Sequence, residues 1–459
     1  MKTSTSDDSA SAESFPLYPD CIAQVCSRWR QIALSSPSLW SHIDYAPQQK
    51  LDCGMLARAK AYMKRASSLS IILHIHIHEH MDVHYKKDNL EHFLMSVACR
   101  TKSLDYTTIR PGNAFTRLVL MTLLRGSATG PAVFTQLKHT TSFTGMAFMH
   151  DPHIMSADQD LRRYDSAALN LDLPESVIEE SFSNLSILHL RGLYPSWSSA
   201  PYHGLVDLRL IGLSSSYRHP IPESKFRNIL KASPRLRILN FSLVVSKQSR
   251  DTRITPVYLE DLEKVNIATR HPRDGVWLMI SEPGAVLRLF APGSKFLQLS
   301  ISHYIYQPHE SSVTDLKYFF RRSRITKFYG KGACPPLGEL LSHAPNLRVL
   351  ELDVHNFKLS PANESRARIL AASKLERLIL PDWDYRKLDE LDLLLQYHPT
   401  ETVIFLNYNL RSRWDQVGIW KRHPETRVLT YNLGKRPLDP LGGSDVFSEN
   451  AHRAVPIYD

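Results

Sequence analysis

The sequence predicts a mixed α/β fold in which a helix, a proline turn and a strand repeat along the chain as an irregular solenoid. Three observations lead to this prediction. A pattern of apolar-x-x-apolar-x-apolar recurs, several apolar helical faces end four residues before a proline, and a strand pattern follows each of those prolines. Each unit has one apolar face that it cannot bury alone, so neighbouring units must stack.

The composition favours a folded chain in a reducing compartment. The chain has 459 residues, of which 43% are hydrophobic and 22% are charged. Its 5 cysteines are scattered without a CxxC pair, which argues against disulfides and against structural zinc. No apolar run approaches the ~18 to 20 residues of a membrane span, and the polar N-terminus does not look like a secretory signal. We therefore expect a cytoplasmic or nuclear protein without a membrane partner.

Residues 21–43 carry the most specific local pattern. Their apolar residues fall at helical spacing on one face, which predicts an amphipathic helix; these are Ile22, Val25, Cys26, Trp29, Ile32 and Ala33. Ser36 can cap a short second helix that starts with Pro37. We expect the two helices to pack through Val25, Trp29, Ile32, Leu39 and Trp40, with a helix over Leu51–Met63 covering the side left open.

The string VCSRWRQIALSSPSLWSHI at 25–43 resembles the C-terminal half of an F-box, in particular the F-boxes of mushroom-forming fungi. The resemblance implies docking on a Skp-type adaptor of a cullin–RING ubiquitin ligase. The residues that it implies at the adaptor contact are Val25, Cys26, Trp29, Ile32, Pro37, Leu39 and Trp40.

This partial F-box lacks the Leu-Pro start and the first helix that the family has ahead of this segment. We therefore expect adaptor binding to be weakened or lost. The alternative is that residues 21–43 are a buried helical cap on the solenoid, because an apolar helical stripe is more often core than interface.

The repeats resemble the leucine-rich repeats of F-box proteins. Most steps between copies fall near the ~20 to 29 residues typical of that class, although the asparagine expected after each strand is mostly absent. We predict parallel strands of one sheet at 185–190, 205–210, 236–241, 262–267, 347–352 and 375–380. Degraded copies follow at Ile404–Leu406 and Leu429–Tyr431. The alternative is an ordinary α/β domain with coincidental leucine strings.

The organisation predicted along the chain has four parts. They are a disordered leader at 1–14, a partial F-box at 15–45, a leucine-rich-repeat-like solenoid at 46–433 and a poorly ordered tail at 434–459. The solenoid starts with a helix at 51–65, a strand at 70–78 and a helix from Leu90, and it contains an irregular insertion at about 138–180.

Alternating histidines on the predicted strand are the one pattern that suggests a metal. His74, His76, His78 and His80 share a strand face, and imidazole is a ligand for zinc or nickel. Aliphatic residues fill the other face as in any half-buried strand, and no cysteine lies near to complete a ligand set. We predict that His74, His76 and His78 are mostly exposed and hold no metal.

We expect no catalytic residue and no cofactor, because the chain lacks the common phosphate-binding, hydrolase and metalloprotease motifs. The net charge of +10 is spread along the chain, and the basic clusters at 321–324 and 411–413 are short, so we expect no specific nucleic acid. The leading hypothesis is recognition of an unknown protein substrate for a ubiquitin ligase. The alternatives are a stand-alone protein-binding scaffold or, less favoured, a metal- or nucleic-acid-binding protein.

Overall fold

The computed structural model describes fifteen stretches of the chain, which divide between two compact units. The described stretches are 18–46, 52–77, 87–108, 114–127, 134–141, 153–158, 168–212, 220–246, 255–269, 282–303, 310–332, 343–353, 374–381, 388–406 and 419–431. Unit 1 comprises Met1–Phe143, Ser156–Gln159 and Asn170–Ser183, and unit 2 comprises Thr144–Met155, Asp160–Leu169 and Asn184–Asp459.

Helices and strands alternate along both units. In chain order to residue 182, the elements are α1 (Tyr18–Val25), α2 (Ser27–Leu34), a 3-10 helix (Pro37–Trp40), β1 (His42–Tyr45), α3 (Asp52–Arg65), β2 (Ile71–His76), α4 (Lys87–Ala98), β3 (Thr101–Thr108), α5 (Ala114–Ser127), β4 (Gln136–Thr141), β5 (His153–Met155), β6 (Leu169–Asn170) and α6 (Glu175–Phe182).

The elements described for the remaining chain are mostly strands, with helices between some of them. They are β7 (Ile187–Arg191), β8 (Tyr194–Pro195), a 3-10 helix (Ala200–Tyr202), β9 (Asp207–Ile211), β10 (Ile221–Pro222), α7 (Glu223–Ala232), β11 (Ile238–Phe241), β12 (Val245–Ser246), β13 (Val257–Leu259), β14 (Lys264–Thr269), α8 (Pro283–Leu287), β15 (Phe290–Pro292), β16 (Leu297–His303), α9 (Glu310–Arg322), β17 (Ile325–Gly332), β18 (Val349–Asp353), β19 (Leu375–Pro381), α10 (Leu388–Tyr397), β20 (Thr400–Leu406), α11 (Ile419–Arg422) and β21 (Arg427–Tyr431).

Unit 1 is built on four parallel strands, β1 to β4, that pair in chain order. Ile43, Leu73, Leu104 and Leu137 lie in register across them and are all buried. Helices α4 and α5 pack so closely that a Cβ added at Gly126 would lie 2.3 Å from the Cβ of Ala98. The predicted early helix–strand pair is therefore present, as α3, β2 and α4.

Unit 2 contains ten strands, among the described residues, that pair in parallel and in chain order; they are β7, β9, β11, β14, β16, β17, β18, β19, β20 and β21. All six segments predicted as parallel strands belong to this sheet, so that prediction is confirmed. One row of core side chains runs across all ten strands, from Leu188 and Leu208 to Val403 and Val428. Nine of the ten are buried, and Val428 is half-buried.

Two strands of this sheet were not predicted. Strands β16 and β17 lie between the copies at 262–267 and 347–352. In β17 the core position that pairs with Leu350 is taken by Phe328, and the position that pairs with Leu352 is taken by Gly330. The leucine pattern is therefore absent from β17, because a phenylalanine and a glycine stand where leucines were expected.

The last two copies were predicted one residue out of phase. Leu378 pairs with Val403 and not with Ile404, and Val403 pairs with Val428 and not with Leu429. Because side chains alternate along a strand, a shift of one residue turns every side chain to the other face. Ile404 and Leu429 are therefore half-buried on the face opposite the core.

The sequence has four apolar helical faces that end shortly before a proline, and three of the corresponding helices are present. Helices α7, α10 and α11 each end two residues before a proline, namely Pro234, Pro399 and Pro424. The fourth, at 337–341, lies outside the described residues. The predicted insertion at about 138–180 is partly regular, because it contains most of β4 and all but two residues of α6. Within the described stretches, no helix combines the length and apolar character needed to cross a membrane.

Candidate docking surface

Two short helices stand where the sequence predicted one. Helix α1 ends at Val25 and α2 begins at Ser27, because Cys26 between them is extended, with φ −160° and ψ 173°. The break is held by Arg30, whose Nε donates a hydrogen bond of 2.9 Å to the carbonyl oxygen of Ala23 in α1. The break also ends the continuous apolar stripe predicted over residues 22–33, since helical spacing does not extend across an extended residue.

Trp40 anchors this segment in unit 1. The side chain is fully buried, and its indole N–H donates to the carbonyl oxygen of Ala33 at 2.7 Å. Its ring and that of Tyr62 in α3 pack in a T-shaped arrangement with centroids 5.0 Å apart, and the guanidinium of Arg65 lies 4.3 Å from the Trp40 ring centroid. A tryptophan placed in this way stabilises the segment and is not available to a partner.

A polar contact ties α1 to α3. The carboxylate of Asp20 accepts hydrogen bonds from Arg58 Nε at 2.9 Å and from the Tyr62 hydroxyl at 2.8 Å. Burial raises the pKa of Tyr62 to about 12, and its hydrogen bond to Asp20 acts in the same direction. Tyr62 therefore remains neutral and keeps donating its proton to Asp20. The sequence analysis did not identify this contact, because Asp20 and Tyr62 are far apart in the chain.

The two helices expose several large apolar side chains. Val25 is 67% exposed, Trp29 49%, Ile32 45% and Leu34 46%. Trp29 and Ile32 are three residues apart and so lie on one face of α2. We call Val25, Trp29, Ile32 and Leu34 the α1–α2 apolar set. Exposed apolar side chains concentrated in one short segment are typical of a protein-interaction site, and tryptophan is enriched at the energetic centres of such sites.

The packing predicted for residues 21–43 is therefore wrong for three of its five residues. Val25, Trp29 and Ile32 are exposed, Leu39 is half-buried and Trp40 is buried. The physical reason is that α3 covers Trp40, while within α2 only the small Ala33 is buried. Among the residues implied at the adaptor contact, Val25, Cys26, Trp29 and Ile32 are accessible, Pro37 and Leu39 are half-buried, and Trp40 faces inward.

The histidine strand is half-buried and was predicted to be mostly exposed. His74 and His76 share a face of β2, and His78 and His80 lie outside the described residues. The ring of His74 stacks on that of His42 at 6.3 Å, and its Nδ1 lies 3.8 Å from a carboxylate oxygen of Asp105. Across the described part of the chain, no three metal-binding side chains come together.

The basic cluster at 321–324 performs structural tasks. Arg322 donates to the carbonyl oxygens of Leu287 and Phe290 at 2.8 and 2.7 Å, and burial lowers its pKa. The guanidinium of Arg324 lies 4.6 Å from the ring centroid of Phe296. Nothing in these contacts points to nucleic acid. The second cluster, at 411–413, lies outside the described residues.

Comparison with known proteins adds no assignment: no protein-family model matches the chain, and no curated protein matches it either.

Proposed function

We propose that this chain is a non-enzymatic substrate-recognition subunit of a cullin–RING ubiquitin ligase in the cytosol or nucleus. In this proposal α1 and α2 dock on a Skp-type adaptor, and the repeats of unit 2 stack as an irregular solenoid that binds a protein target. One observation carries the proposal. The residues that resemble an F-box are the ones that leave Val25, Trp29, Ile32 and Leu34 exposed.

The energetic argument concerns exposed apolar area. Burying apolar surface contributes roughly 25 cal/mol per Å², so a partner that covers these large exposed side chains gains binding free energy. These four residues play no part in the core, because all of them are exposed and the one buried residue of α2 is Ala33. A simple structural cap would turn its apolar side chains inward.

The repeat architecture is supported by the order of the strands. The ten strands described for the large sheet of unit 2 pair in chain order and in parallel, which is how stacked repeats build a sheet. The variable spacing between copies fits the irregular form predicted from the sequence.

The experiment is a pull-down with a fungal Skp-type adaptor. We compare the full chain, a chain with a Leu-Pro-type first helix grafted ahead of Pro19, and both chains carrying Trp29→Ala and Ile32→Ala. Removal of a tryptophan anchor typically costs ~2 kcal/mol or more, so we expect the double variant to weaken binding by roughly 30-fold. The grafted chain should bind more tightly than the native one.

The matched control replaces two exposed apolar residues elsewhere in unit 1, Leu69→Ala and Met95→Ala, which are 41% and 56% exposed. This control should bind as the parent does. If the grafted chain stays folded but binds no adaptor, or if the Trp29 and Ile32 changes have no more effect than the control, the ligase proposal is wrong and the chain is better described as a stand-alone scaffold.

A further inference from the structure

Two rows of side chains cross the last five strands of unit 2 on the face opposite the core. In register, the first row is Lys327, Val349, Arg377, Thr402 and Arg427. The second row is Tyr329, Glu351, Ile379, Ile404 and Leu429. Neighbouring strands lie ~4.8 Å apart, so the three cations, on every second strand, recur at roughly 10 Å.

An aliphatic row runs beside these cations. Ile379, Ile404 and Leu429 lie on three neighbouring strands and are half-buried, whereas the adjacent core residues Leu378 and Val403 are fully buried. Two of them, Ile404 and Leu429, are the residues that the sequence pattern had placed in the core row. Apolar side chains repeated over neighbouring strands outside the core are typical of a binding surface. We call Lys327, Arg377, Arg427, Ile379, Ile404 and Leu429 the basic–aliphatic stripe.

The charge around the stripe favours an acidic ligand. Among the side chains described for these five strands, Glu376 faces Arg348 at 3.4 Å and Glu401 faces Lys374 at 3.2 Å. The third carboxylate, Glu351, is 4% exposed, whereas Lys327 and Arg377 are half-buried and Arg427 is exposed. The two rows therefore carry three cations and one carboxylate, so their net charge is positive.

We propose that the basic–aliphatic stripe binds an acidic amphipathic helix of a protein target. A helix laid across the strands advances 5.4 Å a turn, close to the ~4.8 Å strand spacing, so apolar residues one turn apart can meet Ile379, Ile404 and Leu429 in sequence. Acidic residues about two turns apart then face the cations. An extended segment, whose same-side residues recur at ~6.6 Å, matches neither row.

Nucleic acid fits this surface less well. Binding to single strands uses exposed aromatic side chains on which bases stack, and the aromatic residue described in these two rows, Tyr329, is 5% exposed. The three aliphatic side chains of the stripe would also find no apolar group to contact on a phosphate backbone. The inference rests on the proposed function only in regarding the helix as part of the ligase target.

The test measures fluorescence anisotropy of labelled peptides with the full chain. The probe is a peptide of about 21 residues, or roughly six helical turns, with leucines on one face and glutamates beside them. Three further probes are the same peptide with lysine for glutamate, a scrambled peptide of the same composition, and a single-stranded DNA. The acidic amphipathic peptide should bind most tightly.

The variant Lys327→Glu, Arg377→Glu, Arg427→Glu should weaken binding of the acidic peptide by about tenfold or more, which corresponds to ~1.4 kcal/mol. Ile379→Ser with Ile404→Ser should weaken it similarly. The matched control reverses three exposed cations on helices of the same unit, Lys225→Glu, Lys231→Glu and Lys421→Glu, and should change affinity by less than about twofold, as expected for charges outside the contact.

Equal binding by the triple variant and its control would overturn the inference. So would equal binding of the scrambled peptide, which would show non-specific ionic attraction, and tighter binding of the DNA, which would show a nucleic-acid site. Circular dichroism checks folding, and the neutral variant Lys327→Gln, Arg377→Gln, Arg427→Gln replaces the charge reversal if that variant unfolds. The adaptor is absent from this assay, so the stripe and the ligase proposal can fail independently.

Discussion

At the scale of single residues, Trp29 and Trp40 show how similar sequence positions acquire opposite roles. Both are large aromatic residues at apolar positions of the segment 21–43. Trp40 donates its indole N–H to Ala33 and is fully buried, whereas Trp29 is half exposed. The difference follows from the break at Cys26 and from α3, which covers Trp40 only. A helical pattern in one segment cannot reveal which of its apolar residues a distant helix will cover.

This contrast predicts opposite effects on stability. Trp40→Ala removes a fully buried indole and its hydrogen bond, so we expect it to lower the free energy of unfolding by about 3 to 5 kcal/mol. Trp29→Ala removes an exposed side chain and should change the free energy of unfolding by less than about 1 kcal/mol. Urea unfolding followed by circular dichroism measures both. A larger loss for Trp29 than for Trp40 would refute the assigned burial.

At the scale of elements, the apolar pattern predicted most strands of the sheet, although β16 was missed despite Leu299 in its core row. The strand containing Leu188 and the one containing Leu208 are both found as predicted. Strand β17 was missed because Phe328 and Gly330 hide the motif, and β20 was shifted because Ile404 looked as suitable for the core as Val403. Where both faces of a strand are aliphatic, only pairing with neighbours sets the phase.

The packing of α4 on α5 gives a prediction of its own. A Cβ at Gly126 would lie 2.3 Å from the Cβ of Ala98, so Gly126→Ala forces the helices apart and should cost about 1 to 3 kcal/mol. Adding Ala98→Gly removes the opposing methyl group and should recover part of that loss. Thermal unfolding of both single variants and the double variant measures the coupling.

Gly54 is the matched control for this pair. It also lies in a helix of unit 1, but a Cβ there would meet nothing within 4 Å. Gly54→Ala should therefore be neutral or raise stability by roughly 0.5 to 1 kcal/mol, as expected for alanine in a helix. If Gly126→Ala behaves like Gly54→Ala, or if Ala98→Gly gives no rescue, the close contact between α4 and α5 is not as described.

At the scale of the whole molecule, the chain combines a surplus of positive charge with two surfaces that we propose as interaction sites. Of its net charge of +10, part serves structure, as in Arg322, and part borders the aliphatic residues of the stripe. The α1–α2 apolar set lies in unit 1 and the basic–aliphatic stripe lies in unit 2. A substrate-recognition subunit needs two such surfaces, one for the adaptor of the ligase and one for the target. The proposed function assigns one surface to each unit.

The sequence predicted the helical segment at 21–43 and six strands of the sheet of unit 2, but not the details of either surface. The F-box-like string located the exposed segment, but the packing predicted for it was right for Trp40 and wrong for Val25, Trp29 and Ile32. The second surface could not be found from the sequence, because it depends on register: Arg377 and Arg427 belong to one row only through the pairing of β19, β20 and β21. The residues of such a row lie far apart in the sequence, so the row is visible only in the folded sheet.

The most direct test of the central claim is amide hydrogen exchange of the full chain with and without an excess of a Skp-type adaptor. We expect the adaptor to slow amide exchange in α1 and α2, from Tyr18 to Leu34, and to leave the exchange rates of α4 and of the strands of unit 2 unchanged. Bound surfaces lose solvent access and local opening, which is what exchange measures. Binding of the adaptor without protection at 18–34, or with protection only elsewhere, would contradict the account.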